Sequence, residues 1–371
     1  MPEEAARLLE RLQAADLRRP KTLTVAITRG CNLACGHCLV RSAGLAESAP
    51  VPAAALRRLV RDFAELGGEG VVLTGGEPLS HPKWRGLVSW CCEERRFHAI
   101  RVQTNAVLLT PEHVEALASL GCERLSLQVS LEGARPETHD LVRGAGSFIQ
   151  TLRGLRFLAE GGLAARTRIA FTEMRHNVGD LPEVLALADR LGIAALTSGS
   201  VVLAGRAAES ADIGPPEPSQ YAELLRRYHE DAEFRSRVRD KAEITALAWW
   251  EGRAHPDPHV CNFVENLYVA ADGRVFPCPL FQADELAAEG CYDRPLAEVL
   301  GGAVPLWKEL KKASVRRREG LEPCRECTAF GHCRGGCMGR AHAAFGDPMA
   351  TEDRCDLRRA VYGWKPPTPS A

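Results

Sequence analysis

Apolar residues fall into two alternating patterns along most of this chain. TLTVAIT, GVVLTGG, AIRVQTN, RLSLQVS, ARTRIAFTE and LTSGSVVL are short runs rich in β-branched residues, of the kind buried on both faces in parallel sheets. Between them, ALRRLVRDFAEL, WRGLVSWCCEE, PEHVEALASLG, FIQTLRGLRFLAEGG and LPEVLALADRLG repeat apolar positions at helical spacing. Residues 22–205 therefore predict about six βα units. An eight-fold barrel typically needs about 250 residues, so the expected fold class is α/β, a partial (β/α)6 TIM barrel followed by a small Cys-rich domain. Right-handed crossovers gather the C-terminal ends of the strands on one face, where functional residues are expected.

The flanks depart from this alternation. Residues 1–21 place Ala5, Leu8, Leu9 and Leu12 at helical spacing and read as a lead-in helix, too short for a separate recognition domain. Residues 206–258 hold a charged helix around YAELLRRYHEDAEFRSRVRDKAEI and the turn-prone HPDPH, and read as a bridging segment. Residues 259–371 begin with the hairpin-like LYVAADGRVFPC, continue through a short helix near PLAEVL and end in a cysteine-rich tail. Trp249 and Trp250, in the bridge, read as core packing or as a cavity wall.

Composition narrows the function. The 371 residues are 45% hydrophobic, enough for a sizeable core, and 47 Lys and Arg against 48 Asp and Glu leave a net charge of −1. Nothing there calls for nucleic acid as a partner. No apolar stretch approaches a membrane span and no basic-then-apolar leader opens the chain, so the expectation is a cytoplasmic protein with no membrane partner. In a reducing compartment, 14 cysteines point to metal rather than disulfides. The basic run KELKKASVRRRE reads as a solvated helix face, or as a dock for an acidic peptide or for tetrapyrrole carboxylates.

The cysteines carry the chemistry. Cys31, Cys35 and Cys38 stand at Cys-x3-Cys-x2-Cys spacing in TRGCNLACGHC. Iron–sulfur clusters are normally held by four cysteines, so three suggest a cluster with one iron open to a small molecule. The bland readings are a zinc knuckle or buried packing, although zinc wants four closed ligands. Gly75 and Gly76 end the GVVLT strand, where they admit close backbone approach, and Glu77 beside them can pair with an ammonium; GGEP is also a common turn. Thr104 and Asn105, and Ser130 and Glu132, lie at further strand ends, where turn chemistry competes with ligand contact. Thr172 and Asn177 line the pocket or serve as cap and loop residues. Downstream, Cys261 and Cys278 precede Cys324, Cys327, Cys333, Cys337 and Cys355, a set that also suits a zinc ribbon. Cys291 is a further ligand or a buried thiol, and Cys91, Cys92 and Cys122, with no ligand spacing, read as packing.

Together these motifs resemble the radical S-adenosylmethionine (radical SAM) enzymes with a C-terminal SPASM extension. The resemblance implies that Cys31, Cys35 and Cys38 hold a [4Fe–4S] cluster whose open iron chelates SAM, which is cleaved to a 5′-deoxyadenosyl radical. It makes Gly75, Gly76 and Glu77 the seat of the methionine amino group, Ser130 a ribose or carboxylate contact, Arg143 the partner of the methionine carboxylate and Asn105 a further SAM-site residue. Glu132 stands where the family usually has aspartate. It further implies two auxiliary [4Fe–4S] clusters, one on Cys261, Cys278 and Cys337 and one on Cys324, Cys327, Cys333 and Cys355, with a position left open or completed by Cys291. An electron donor such as flavodoxin or ferredoxin is implied, and a separate peptide-carrier protein is a possible partner. Pro279 stands where sulfatase-maturing members carry aspartate, and His37 where they carry an aromatic, which disfavours that branch. His37 and the tail resemble both mycofactocin-type peptide maturases and haem-pathway enzymes. The expected activity is that of a radical SAM oxidoreductase or maturase acting on a ribosomally made peptide or protein side chain, the alternatives being a tetrapyrrole or other small cofactor precursor and, outside enzymology, a zinc-stabilised binding protein.

Overall fold

The computed structural model describes residues 3–252 and 261–366. The turn-prone HPDPH and the last five residues lie outside them. Among the described residues there are eleven strands: β1 (Thr22–Ala26), β2 (Gly30–Cys31), β3 (Ala43–Gly44), β4 (Gly70–Thr74), β5 (Ala99–Thr104), β6 (Leu125–Ser130), β7 (Thr167–Glu173), β8 (Ala195–Ser200), β9 (Ala242–Glu243), β10 (Asn266–Val269) and β11 (Val275–Phe276). The six apolar runs of the sequence become β1, β4, β5, β6, β7 and β8, and the five amphipathic runs become the helices Ala53–Glu65, Trp84–Glu93, Pro111–Ala118, Ser147–Glu160 and Leu181–Arg190. The fold is α/β with mostly parallel strand pairing.

Two compact units are each assembled from separate stretches of sequence. The first comprises Met1–Ala34, Val40–Gln128 and Cys261–Val315; the second comprises Cys35–Leu39, Val129–Val260 and Arg316–Ala371. In the first, β1 pairs in parallel with β4 on one side and β10 on the other, β4 pairs with β5, and β10 and β11 form the expected antiparallel hairpin. Alternate residues Leu23 and Val25 of β1, and Ile100 and Val102 of β5, are buried in its core. The lead-in helix Glu3–Ala14 buries Ala5, Leu8 and Leu12. In the second unit, β7 pairs in parallel with β8 and β8 with β9, above the buried Leu181, Val184, Leu185 and Ala188 of the following helix.

Three local outcomes differ from the sequence reading. The charged helix of the bridge is two helices, Pro218–Glu230 and Ala232–Lys241, because Asp231 turns extended and its side chain accepts the Phe234 amide at 2.9 Å as a cap. The short helix near PLAEVL runs on from Leu296 to Gly320 through Pro305, its line held by buried Leu300, Val304, Trp307 and Leu310. PETHDLVR, read only as motif, is a helix spanning Pro136–Arg143 with proline in its first turn.

Candidate active site

In the first unit, Cys31 ends β2, which is pinned by pairing with β3 and by the Gly30 amide donating to Thr28 Oγ1 at 3.0 Å. The Cys31 sulfur accepts the Leu33 amide at 3.4 Å and the Asn105 side-chain amide at 3.8 Å. Asn105 follows β5 directly, is buried, and also donates to Asn32 Oδ1 at 2.9 Å. Its backbone amide donates to Glu77 Oε2 at 2.8 Å, while Glu77 Oε1 accepts the Leu79 amide at 3.1 Å and the Thr104 hydroxyl at 2.8 Å. Glu77 is completely buried. Its carboxylate thus ties together the loops after β4 and β5 and turns Asn105 toward Cys31.

The two glycines admit backbone rather than leaving a void. Gly75 has φ 141°, and a Cβ on Gly76 would lie 2.6 Å from the Arg29 carbonyl oxygen and nearer still to that of Gly30. The segment that enters Cys31 is what passes close to GGEP. Elsewhere in this unit, Val264 is held at φ 75°, strained for a β-branched residue, by its amide donating to the Pro277 carbonyl at 2.9 Å. That bond links the turn after Cys261 to the residue before Cys278. Cys291 is buried, which pushes its thiol up to about 12. Cys91 and Cys122 are buried as expected of packing residues, whereas Cys92 is half-buried.

In the second unit, three hydrogen bonds, one to Val142 and two from Arg206, hold the Cys35–Leu39 segment. The Gly36 amide donates to the Val142 carbonyl at 2.8 Å, the Arg206 amide to the Cys38 carbonyl at 3.0 Å, and Arg206 Nε to the Cys35 carbonyl at 2.8 Å. Gly205, at φ 58°, lets this turn close; a Cβ there would lie 2.7 Å from the Leu39 carbonyl carbon. Sequence reasoning missed Gly205 and Arg206 because nothing in VVLAGRA ties them to a motif some 170 residues earlier.

Arg143 and Glu132 face one another. Arg143 Nε and Nη2 donate to Glu132 Oε1 at 3.2 and 2.6 Å, and Nη1 donates to the Cys35 sulfur at 3.8 Å. Burial would raise the Glu132 pKa, but Arg143, with His37 3.5 Å away, holds it well below the usual carboxylate range. Burial raises the Cys35 thiol pKa, and Arg143 opposes that rise. Thr172 donates its amide to Glu132 at 2.6 Å, and Asn177 donates to the Glu132 and Thr172 carbonyls, so both hold the site's frame. Ser130 ends β6 half-buried. The end of β7 carries another pair without a sequence signal: buried Glu173 accepts the Tyr221 hydroxyl, and burial raises the pKa of both.

The cysteine-rich tail of this unit is braced by buried ions. Glu352 takes Arg354, Arg358 and the Cys337 amide, and Arg340 pairs with Asp353 while donating to the Ser200 and Val201 carbonyls at the end of β8. Trp249 is buried, with Arg354 and Arg358 lying 4.9 and 4.2 Å from its ring. Burial raises the Cys324, Cys333 and Cys355 thiols; Cys327 adds to the first, Cys355 to the second and Cys324 to the third. The basic run is mixed: Lys311 and Arg317 are buried, Arg317 bonding to carbonyls of the tail.

Among the described residues, no disulfide joins any of the fourteen cysteines, and no group of three His, Cys, Asp or Glu side chains is set to hold a single metal ion. No helix among them is long and apolar enough to cross a membrane. Each unit by itself offers cysteine chemistry that suits an iron–sulfur ligand: in the first the buried Cys31 sulfur receives N–H groups from Leu33 and Asn105, and in the second the buried Cys35 sulfur receives one from Arg143. Comparison with known proteins agrees. The Radical SAM superfamily description matches residues 25–194. The chain is 30% identical to the mycofactocin maturase MftC of Mycobacterium ulcerans over 345 residues, covering 91% of this chain and 88% of that one.

The chain belongs to the radical SAM superfamily. This radical SAM enzyme is also 27% identical to the AdoMet-dependent heme synthase of Methanosarcina barkeri, over 91% of its own length and 97% of that protein's. Its fold is similar to that of native anSMEcpe with bound AdoMet (TM-score 0.71, 17% identity, 93% and 96% of the two chains). It is equally similar to Streptococcus suis SuiB bound to the precursor peptide SuiA (TM-score 0.71, 18% identity, 94% and 78%). Both alignments are long enough to take in most of the cysteine-rich C-terminus.

Proposed function

We propose that this radical SAM enzyme modifies a ribosomally made peptide or a protein side chain, beginning with hydrogen abstraction. The observation that carries the substrate class is the 30% identity with a maturase along nearly all of both chains. Cys31, Cys35 and Cys38 hold the [4Fe–4S] cluster in this reading, which with SAM supplies the 5′-deoxyadenosyl radical. The residues around them do the positioning. Asn105 and Arg143 place N–H groups on sulfur, Glu77 locks Asn105, and Arg206 fixes the Cys35–Leu39 turn. Gly75, Gly76, Glu77, Asn105, Ser130 and Arg143 remain the proposed SAM-site residues. Cys324, Cys327, Cys333 and Cys355 are proposed, on their spacing, as the ligands of one auxiliary cluster, and the pairwise influence of Cys327 on Cys324, Cys355 on Cys333 and Cys324 on Cys355 supports it. Cys261, Cys278 and Cys337 are carried from the sequence pattern alone.

An external one-electron donor of the flavodoxin or ferredoxin type is part of the proposal, as is a separate carrier protein for the peptide's leader. The second reading, radical chemistry on a tetrapyrrole, is favoured by the heme synthase alignment. The test is anaerobic reconstitution with iron, sulfide and zinc analysis, followed by reduction with SAM. About twelve irons per chain are expected for three cubanes, with release of 5′-deoxyadenosine that Cys35→Ala abolishes. Zinc without sulfide overturns the enzyme reading. A mass change in a short peptide found encoded beside this gene supports the maturase; turnover of a haem precursor with no peptide change supports the second reading.

A further inference from the structure

Arg143 reaches both a carboxylate and a cysteine sulfur in the second unit. Two of its nitrogens bond to one oxygen of Glu132, and the third points at the Cys35 sulfur from 3.8 Å. Glu132 cannot drift: its other oxygen accepts the Thr172 amide at 2.6 Å, its own amide donates to His139 Nδ1 at 3.1 Å, and its carbonyl accepts Asn177 Nδ2 at 2.9 Å. The carboxylate is 1% exposed and the guanidinium 9%. A guanidinium on a three-carbon stem has many rotamers in the open; gripped through two nitrogens it has one, and its remaining N–H edge is aimed.

We propose that Glu132 is a positioning residue, whose grip on Arg143 holds a guanidinium N–H on the Cys35 sulfur and thereby raises the reduction potential of the cluster bound through that cysteine. A hydrogen bond to a cluster sulfur stabilises the more negative state, here the 1+ state formed when the 2+ cluster accepts one electron. The inference rests on Cys31, Cys35 and Cys38 being cluster ligands, and it adds a role to an arginine whose expected task is the methionine carboxylate.

The test is an EPR-monitored redox titration, with dithionite as reductant and without SAM, of the reconstituted wild type, Glu132→Gln and Arg143→Lys. The auxiliary-cluster cysteines are intact in all three, and the radical-cluster signal is identified by its loss in Cys35→Ala. Arg143→Lys keeps the charge but cannot span both acceptors, so its potential should fall by about 59 mV, a tenfold loss in the one-electron equilibrium. Glu132→Gln should also fall, although removing a nearby negative charge would by itself raise the potential. The opposite signs decide the matter: a rise in Glu132→Gln, or no change in Arg143→Lys, overturns the proposal. Loss of the cluster from both variants also overturns it, since the pair would then build the site rather than tune it. Absence of iron and sulfide from the wild type would instead sink the cluster reading itself.

Discussion

Replacing Gly76 by alanine would set a methyl carbon 2.5 Å from the Gly30 carbonyl carbon and 2.6 Å from the Arg29 carbonyl oxygen. Both neighbours are backbone, so relief requires the chain entering Cys31 to move away from the GGEP loop. Two main-chain bonds bridge that seam, Gly76 amide to Thr28 carbonyl at 2.8 Å and Glu77 amide to Gly30 carbonyl at 2.9 Å. Losing both costs about 2 kcal/mol and the overpacking about 1–3 more, or about 3–5 in all. That is a large share of the about 5–15 kcal/mol that holds a typical domain together. The urea midpoint followed by circular dichroism should fall accordingly, and iron bound after reconstitution should drop with it. Gly86 is the control. It lies inside the helix Trp84–Glu93 with nothing within 4 Å of its added Cβ, so alanine there should stabilise by about 0.5–1 kcal/mol. If Gly76→Ala unfolded at the wild-type midpoint with its full iron content, the close approach would not be what the glycine provides.

Other consequences are as direct. Trp249→Ala should cost about 3–5 kcal/mol, read from urea unfolding, because the ring is buried between Tyr221 and two guanidiniums; Trp249→Phe should cost less. Val264→Gly should be at least as stable as Val264→Ala despite losing one more carbon, since glycine alone relieves the strain at φ 75°, about 1 kcal/mol or more. His139 is buried, and burial with Arg143 nearby lowers its pKa to about 4, below the ordinary 6.5. A depressed histidine favours the fold when neutral, so its share of stability is complete above pH 6.5 and is lost as pH falls toward 4, by about 3 kcal/mol in all. His139→Gln, compared with wild type by urea midpoint at pH 7.5 and pH 4.5, should narrow that difference; an unchanged pH dependence would refute the assignment.

The strand ends of this fold were readable because each is a local event. An apolar run stops, a glycine pair or a polar residue follows, and period and punctuation together mark the place; Glu77, Asn105 and Ser130 were found that way. What those residues touch was not readable, because partnership is a long-range property. Glu132 takes its proton donors from Arg143, eleven positions on, and from Thr172, forty positions on, and no periodicity links the three. The same holds for Arg206 on the Cys35 carbonyl and for Arg340 on the end of β8. Arg143 and Arg340 are buried and Arg206 is half-buried, and their donors reach carbonyls, a carboxylate or a cysteine sulfur, a pattern that composition disguises as surface charge. The basic run near residue 317 shows the disguise most plainly, since Arg317 is buried while Arg316 and Arg318 on either side are exposed. In a chain with nearly balanced charge, arginine is thus spent inside, fixing the turns that carry cysteine, and the sulfur positions depend on groups that no cysteine motif contains.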